Sequence, residues 1–181
     1  MPPMPELVYY VAASEDGFIA GPDGELDWLH AVEAPGEDYG YAAFLEGVDG
    51  LLMGRVTCEA ALSFGPWPYG ERPSWVLTRG RGPDGLPASV KCTAVSPREV
   101  IQEARVRGLR RMWLVGGGAL AAQCAREALL DEVVLSTVPC RLGQGIGLFG
   151  PWHCWREAYA PAGRARQWPS GLVQQRFRRR A

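Results

Sequence analysis

The amino-acid sequence predicts a three-layer α/β fold, in which helices cover a mostly parallel central sheet and antiparallel strands form the C-terminal part. Two patterns predict this fold. Between residues 7 and 138, short apolar runs alternate with segments of helical spacing, as in strand–helix–strand units. After residue 155 the apolar runs are separated only by turns, which is typical of antiparallel strands. The 181 residues contain no repeat or linker, so we expect a single domain over residues 1–181.

The first elements are visible as changes in apolar spacing. Leu7–Ala13 is a short apolar run rich in valine and tyrosine, which predicts a buried strand. Within Tyr39–Val48 the apolar residues recur at helical spacing, which predicts a helix with one buried face. The uninterrupted apolar run Gly50–Met53 is typical of a central strand buried on both faces. Thr57 is then expected to cap a helix that ends near Ser63.

The middle of the chain continues the alternation. Ser74–Thr78 and Lys91–Val95 are predicted strands, separated by turn-forming residues. Ser96–Glu99 combines the capping-box pattern with proline at the first helical position, which predicts a helix that ends near Gly108. Met112–Val115 predicts another strand.

Three glycines follow that strand and open a helix that we expect to reach about Leu130. Glu132–Val138 then predicts a longer strand. The remaining apolar segments predict antiparallel strands joined by turns: Trp155–Tyr159, Arg164–Trp168 and Leu172–Phe177. We interpret the basic end, Arg176–Arg180, as a solvated terminus.

Composition and charge exclude several classes of protein. Nineteen basic and 20 acidic residues give a formal net charge of −1, without the positive field that nucleic-acid binding needs. No apolar run approaches the roughly 20 residues of a membrane-spanning helix. The five cysteines form no CxxC pair and only two histidines are present, so we expect neither a disulfide framework nor a metal centre. These features favour a protein of the reducing cytoplasm.

The turns that follow the predicted strands form the candidate site. Open parallel sheets bind ligands beyond the carboxyl ends of their strands. The corresponding turns follow Ala13, Met53, Thr78 and Val115. In the last of them, glycines 116–118 allow backbone N–H groups at a helix N-terminus to approach a phosphate. The same glycines also suit a tight strand-to-helix turn that binds no ligand.

Two other turns carry side chains that suit phosphate. Gly54 and Arg55 follow one predicted strand, with Thr57 close behind, and Thr78 and Arg79 end the next. Arginine binds phosphate through two parallel N–H donors. Taken singly, each arginine is better interpreted as a solvated surface residue. Three such turns on successive parallel strands predict a phosphate-rich ligand.

The order of these motifs resembles a known family. The segments LLMGRVTCE, VLTR, WLVGGGAL and DEVVLSTVP follow one another as in the dihydrofolate reductase-like family. Within it, the chain is most similar to the reductase domain of riboflavin biosynthesis and its stand-alone bacterial relatives. The resemblance extends roughly from Leu7 to Phe177. It implies an NADPH-dependent oxidoreductase that transfers a hydride to a small pterin- or aminopyrimidine-like substrate, and it implies a homodimer.

The resemblance also assigns residues to the cofactor and the substrate. Backbone donors of the triple glycine would contact the pyrophosphate of NADPH, and Thr78 and Arg79 would surround its 2′-phosphate. The implied cofactor contacts are Ala13, Ile19, Ala20, Gly54, Arg55, Thr57, Thr78, Arg79, Gly116, Gly117, Gly118, Ala119 and Leu120. The implied substrate contacts are Trp28 and Phe44.

One departure from the family leaves the proton donor open. Dihydrofolate reductases carry a carboxylate about one helical turn before the phenylalanine that resembles Phe44, where this chain has Gly40. Asp27 is the better candidate for a catalytic acid near the substrate, with ordered water as the other source of the proton. Asp27 equally suits the N-cap of a short helix. Further acidic residues surround this segment, which disfavours a phosphorylated substrate.

A second class of function also fits the motifs. A non-catalytic, dimeric nucleotide-binding module would keep Gly54, Arg55 and the triple glycine, and it would need no acid near the nicotinamide. Replacing Asp27 by asparagine separates the two functions. A reductase that uses this acid loses rate, whereas a binding module keeps its affinity.

Overall fold

The computed structural model describes residues 1–181, and its strands and helices alternate along the chain. In chain order they are β1 (Glu6–Ser14), β2 (Phe18–Ala20), a 3-10 helix (Asp27–Val32), α1 (Tyr41–Glu46), β3 (Gly50–Gly54), α2 (Arg55–Ser63), β4 (Ser74–Leu77), β5 (Val90–Thr93), α3 (Pro97–Val106), β6 (Arg111–Gly116), α4 (Gly118–Arg126), β7 (Glu132–Val138), β8 (Ile146–Pro151), α5 (Trp155–Ala158), β9 (Tyr159–Gln167) and β10 (Val173–Arg179). None of the helices combines the length and the apolar character that a membrane span requires.

Eight of the strands form one sheet in the order β5-β4-β3-β6-β1-β7-β10-β9. Every neighbouring pair from β5 to β7 is parallel. β10 then pairs antiparallel with both β7 and β9. The two short strands β2 and β8 pair with each other in a separate antiparallel sheet. A mostly parallel sheet with antiparallel C-terminal strands confirms the predicted fold class.

Helices cover the large sheet on both faces and complete the three layers. On one face, Ala104 of α3 and Ala121 of α4 are fully buried in a cluster with Leu114 of β6. A second cluster contains Cys58 of α2 and Met53 of β3, with side chains of α1 packed against it. The central strands are therefore buried between two helical layers, which explains their uninterrupted apolar runs.

A charged network lies near the amino end of β7. Glu132 is fully buried, and its Oε2 lies 2.7 Å from Arg178 Nη2 of β10. Arg178 also pairs with Glu6 of β1 at 2.8 Å, and Arg179 pairs with Asp131 at 3.1 Å. The interpretation of residues 176–180 as a solvated terminus is correct in that the arginines are exposed, but β10 continues to Arg179 and places them beside these carboxylates.

Two helix boundaries differ from the predicted ones. α2 begins at Arg55 with Gly54 as its N-cap, so Thr57 lies within the first turn and does not cap the helix. The extended backbone of Gly54 leads from β3 directly into that turn. α4 ends at Arg126, several residues early, because Ala128 adopts a φ of 55° and turns the chain out of the helix.

The C-terminal part contains a helical turn where the sequence predicts a strand. Trp155–Ala158 forms α5, in which Trp155 packs against Phe149 and Phe177 and is 7% exposed. The sequence also gives no signal for β2 or β8, and its only indication of the 3-10 helix is Asp27 as a candidate cap. β2 has only three residues and β8 is interrupted by glycine and proline, so neither shows a recognisable period.

Candidate functional site

The first cavity lies at the carboxyl ends of β1, β3 and β6 and has a volume of about 620 Å³. It collects most of the residues that the sequence assigns to a cofactor. These are Ile19, Ala20, Gly54, Arg55, Thr57, Gly116, Gly117, Gly118, Ala119 and Leu120. Trp28, an implied substrate contact, lines the same cavity. The three glycine- and arginine-bearing turns are adjacent because β4, β3 and β6 are neighbours in the sheet.

Each residue of the glycine turn (Gly116–Gly118) meets a different constraint. Gly116 has a φ of 151°, a conformation that favours glycine. A Cβ on Gly118 would lie 2.2 Å from the carbonyl oxygen of Gly147, so β8 leaves it no room. A Cβ on Gly117 would meet only the hydroxyl of Thr57, at 3.6 Å. Packing therefore accounts for Gly118, whereas the missing side chain of Gly117 leaves space in the cavity itself.

Two helices begin at the first cavity without a side-chain cap. The N-cap of α2 is Gly54 and that of α4 is Gly117, and neither start has a side-chain hydrogen bond. In contrast, α3 begins away from the cavity, and the Ser96 hydroxyl accepts a hydrogen bond from Glu99 N. The first N–H groups of a helix and its dipole both favour an anion. The two uncapped helix starts therefore give the cavity the character of a phosphate site.

Arg55 connects this cavity to the turn after β4. Its Nε donates to Glu59 Oε1 at 2.7 Å, and its Nη1 lies 3.7 Å from the position of a Cβ on Gly80. That turn carries Thr78 and Arg79, which do not line the cavity. Thr78 Oγ1 accepts a hydrogen bond from Gly80 N at 3.2 Å, and Arg79 is exposed without a carboxylate partner. Arg79 is therefore available to a ligand that extends past Arg55.

A second cavity, of about 820 Å³, adjoins the first. Tyr10, Val11, Ala12 and Leu29 line both, so the two cavities form a continuous cleft across β1. The rest of the second cavity is lined by Val32, Glu33, Ala34, Pro35, Glu37, Asp38, Tyr39, Tyr41, Ser136, Val138 and Leu172. A long ligand in the first cavity would therefore meet a second ligand at the middle of β1.

An aromatic cluster supports the wall of the second cavity. The rings of Tyr10 and Phe44 stack with their centroids 4.0 Å apart, and Trp113 meets both edge-on. Phe44 lies behind Tyr10 and lines neither cavity, although the resemblance implies it as a substrate contact. The aromatic residues that line the second cavity are Tyr10, Tyr39 and Tyr41. Burial raises the pKa of the Tyr10 hydroxyl above its usual value.

The acid that the sequence singles out lies outside both cavities. Asp27 is exposed and lines a smaller depression with His30 and Phe64. It does not cap the 3-10 helix either, because the helix begins at Asp27 itself and Leu26 is the N-cap. The carboxylates beside the second cavity are Glu33, Glu37 and Asp38.

The register of β1 corrects one further assignment. Ala13 is 1% exposed and belongs to the core, whereas its neighbour Ala12 lines both cavities. The sequence reasoning missed Tyr10, Val11, Ala12 and Ser136. Period-two alternation could not have identified the residues of β1, because three consecutive residues line the cleft, whereas a lone serine among buried residues of β7 could have suggested Ser136.

Known proteins share this architecture. Residues 66–154 match the family model of the RibD C-terminal domain. The chain is 34% identical over 150 residues to uncharacterized protein YwjB of Bacillus subtilis (strain 168), a match that covers 80% of this chain and 82% of that protein. The chain belongs to the RibD C-terminal domain family. A solved structure from Shewanella sp. PV-4, provisionally assigned to riboflavin biosynthesis, is 31% identical with a TM-score of 0.85 and coverage of 97% and 99%.

The family's fold is dihydrofolate reductase-like. Dihydrofolate reductase from Enterococcus faecalis, solved with NADP(H) and RAB-propyl, has a TM-score of 0.68 to this chain and is 17% identical over 97% of both chains. That likeness shows the fold alone. The resemblance found in the sequence is thus confirmed, and membership of the RibD C-terminal domain family supports an oxidoreductase.

Proposed function

We propose that the chain is an NADPH-dependent reductase that transfers a hydride to a small heterocycle of pterin or aminopyrimidine type. One observation carries the proposal: two uncapped helix starts, at Gly54 and Gly117, meet at a cavity that opens into a second one. The first cavity suits a dinucleotide with several phosphates, and the second leaves room for a planar substrate beside it.

The chain has residues that fit each part of this cofactor. The N–H groups of Gly117 to Leu120 would hold the pyrophosphate, and Gly117 leaves the space that a Cβ would fill. Arg55 and Thr57 would contact the adenosine side. Thr78 and Arg79 would surround the 2′-phosphate, which distinguishes NADPH from NADH. Ile19 and Ala20 would form the wall near the nicotinamide.

When bound, a reduced nicotinamide supplies a hydride, two electrons with one hydrogen, to the carbon of a C=N or C=O group, whose nitrogen or oxygen takes up a proton. The chain's own part is to position both ligands and to exclude water. Tyr10, Val11 and Ala12 line both cavities and would hold the two rings against each other. Trp28 and Leu29 would cover them from the opposite side.

We propose that the proton comes from water. The first cavity has no carboxylate in its lining, and Asp27 lies outside both cavities. In the second cavity, N–H groups of Ala42 and Gly40 donate to Asp38 and hold the pKa of its carboxyl below its usual value, which makes it a poor acid. Asp27→Asn should therefore keep the rate of turnover. A large loss of rate in this variant, with NADPH affinity unchanged, would show instead that Asp27 donates the proton.

A homodimer of cytoplasmic location is also part of the proposal. β9 is the last strand of the large sheet, and most of its residues are exposed. Its free edge offers backbone donors and acceptors to a second copy of the chain. The mass in solution, measured by light scattering after size exclusion, tests this arrangement.

Titration of the purified protein with NADPH and NADH, followed by intrinsic fluorescence, tests the proposed function. NADPH should bind more tightly, and Arg79→Ala should weaken NADPH about tenfold by removing one charged hydrogen bond while leaving NADH unchanged. Arg81→Ala is the matched control, because Arg81 is an exposed arginine of the same loop that pairs with Asp84. Binding without turnover of any pterin or aminopyrimidine would support the nucleotide-binding module instead. Failure to bind either cofactor would refute both functions.

A further inference from the structure

The second cavity is built to receive a ligand without negative charge. Its lining contains three carboxylates, Glu33, Glu37 and Asp38, and no lysine, arginine or histidine. Phosphate and carboxylate groups of ligands are normally held by arginine or lysine. Arg166 is the cation that acts on Asp38, and it lies outside the lining.

Two of these carboxylates, Glu37 and Asp38, are held in place by backbone N–H groups of the chain itself. Asp38 accepts hydrogen bonds from Gly40 N and Ala42 N, both at 2.9 Å. Glu37 Oε1 accepts from Tyr39 N at 2.7 Å. The negative charge is therefore held in place beside the opening of the cavity. A ligand with an anionic tail would have to pass it without any compensating cation in the lining.

One hydroxyl on the wall of this cavity is poised to donate. Ser136 is 7% exposed and lines the cavity. Its Oγ accepts a hydrogen bond from Gln174 Nε2 at 3.0 Å, and the same nitrogen lies 3.4 Å from the Tyr10 hydroxyl. The three side chains come from neighbouring strands, β10, β7 and β1.

The direction of these hydrogen bonds determines whether Ser136 can donate a hydrogen bond to a ligand. Since the Ser136 oxygen is already an acceptor, its own proton is left to donate, and no acceptor within the chain receives it. The Gln174 amide nitrogen occupies one lone pair of the Ser136 oxygen and cannot accept the Ser136 proton, so the Ser136 O–H stays free to donate to a ligand. A buried donor without a partner is costly, and a ligand acceptor would satisfy it.

We infer that the substrate is a planar heterocycle without phosphate or carboxylate, neutral or cationic, whose ring carbonyl or ring nitrogen accepts a hydrogen bond from Ser136. The inference rests on the proposed function and specifies its substrate. The ring would lie between the Tyr10 and Tyr41 side of the cavity and the backbone of β7, with its reducible C=N or C=O group toward the first cavity.

A substrate panel measured by NADPH consumption tests the inference. The panel contains a dihydropteridine with a neutral side chain, the same ring with a carboxylate tail, and a phosphoribosylated aminopyrimidine. The neutral ring should have a kcat/KM at least tenfold above either anion. Glu33→Lys should reduce this preference for the neutral ring, because it replaces a negative charge beside the cavity by a positive one that attracts anions. The fold should tolerate the change, since Glu33 is exposed and makes no hydrogen bond within the loop.

Two variants of β7 test the hydroxyl. Ser136→Ala should lower kcat/KM for the neutral ring about three- to tenfold, the loss of one neutral hydrogen bond, mostly through KM. Thr137→Val removes the neighbouring hydroxyl, which lines neither cavity, and should change nothing. Equal losses in the two variants would overturn the role of Ser136. Preferential reduction of a phosphorylated ring would overturn the substrate class alone, whereas absence of NADPH binding would overturn the proposed function itself.

Discussion

Two adjacent alanine substitutions in the glycine turn separate packing from ligand binding. Gly118→Ala places a Cβ 2.2 Å from the carbonyl oxygen of Gly147 and 2.9 Å from Gly150 N. Both contacts are with backbone, so β8 must move away from α4. Overpacking of this kind costs about 1–3 kcal/mol of unfolding free energy. We expect Gly118→Ala to be less stable than the parent chain by that amount.

Gly117→Ala should have the opposite profile. The nearest atom to its new Cβ is the Thr57 hydroxyl at 3.6 Å, an ordinary contact, and its φ of −91° suits an L-residue. A permitted glycine-to-alanine change stabilises a protein by about 0.4–1 kcal/mol, because the unfolded chain loses freedom. In the cavity, however, the methyl group would displace a phosphate from the backbone donors. The loss of one charged hydrogen bond, about 1.5–3 kcal/mol, lowers NADPH affinity roughly ten- to a hundredfold.

Urea denaturation and NADPH titration of the same two variants provide the measurement. The expected pattern is a stable Gly117→Ala protein that binds NADPH poorly, beside a destabilised Gly118→Ala protein. If Gly117→Ala binds NADPH with unchanged affinity, the glycine turn does not hold the pyrophosphate. If Gly118→Ala is as stable as the parent chain, the close approach of β8 does not constrain this glycine.

Three further predictions concern stability. Glu132→Gln should destabilise the chain by about 1 kcal/mol in urea denaturation, because the buried carboxylate loses its charge while Arg178 is half-exposed and keeps Glu6 as a partner. A loss below about 0.5 kcal/mol would mean that the network is not held by charge. The Ser14 hydroxyl and the N–H groups of Gly143 and Leu142 lower the pKa of Asp16 to about 2, so its contribution is complete above roughly pH 4 and is lost as the pH falls through about 2. Asp16→Asn should remove that part of the acid-induced loss of stability, and an unchanged acid profile would contradict the assignment. Ser96→Ala should cost about 1 kcal/mol by removing the cap of α3, whereas Ser63→Ala, at the exposed end of α2, should stay within about 0.5 kcal/mol of the parent in the same assay.

Most of the sheet could be predicted because each of its strands carries a local signal. The apolar runs Gly50–Met53 and Glu132–Val138 are strands in the structure, and the capping box at Ser96 begins a helix as expected. The boundaries that failed depend on contacts made elsewhere. Trp155–Ala158 is helical, and its tryptophan packs on Phe149 of β8. A segment of four residues is too short for its apolar spacing to distinguish a helix from a strand.

The lining of the first cavity was predictable for the same reason. A strand, a glycine turn and a helix start are contiguous in the chain, so the candidate residues Gly54 to Thr57 and Gly116 to Leu120 could be found by inspection. Thr78 and Arg79 were identified by the same pattern, yet they lie outside the cavity beside Arg55. Asp27 was chosen for its charge in a loop, and charge alone does not show which way a 3-10 helix presents a side chain.

The residues around Ser136 could not be found in this way, because they are distant from one another in the sequence. Gln174 and Tyr10 approach each other across 164 residues, and Ser136 lies between them only because β7 separates β1 from β10. None of these three residues belongs to the glycine turn or to α2. Under the proposed function, a substitution at Ser136 should therefore alter the choice of substrate while every predicted cofactor contact stays in place. Relatives that share the triple glycine need not share a substrate, so family membership supports a reductase without specifying what it reduces.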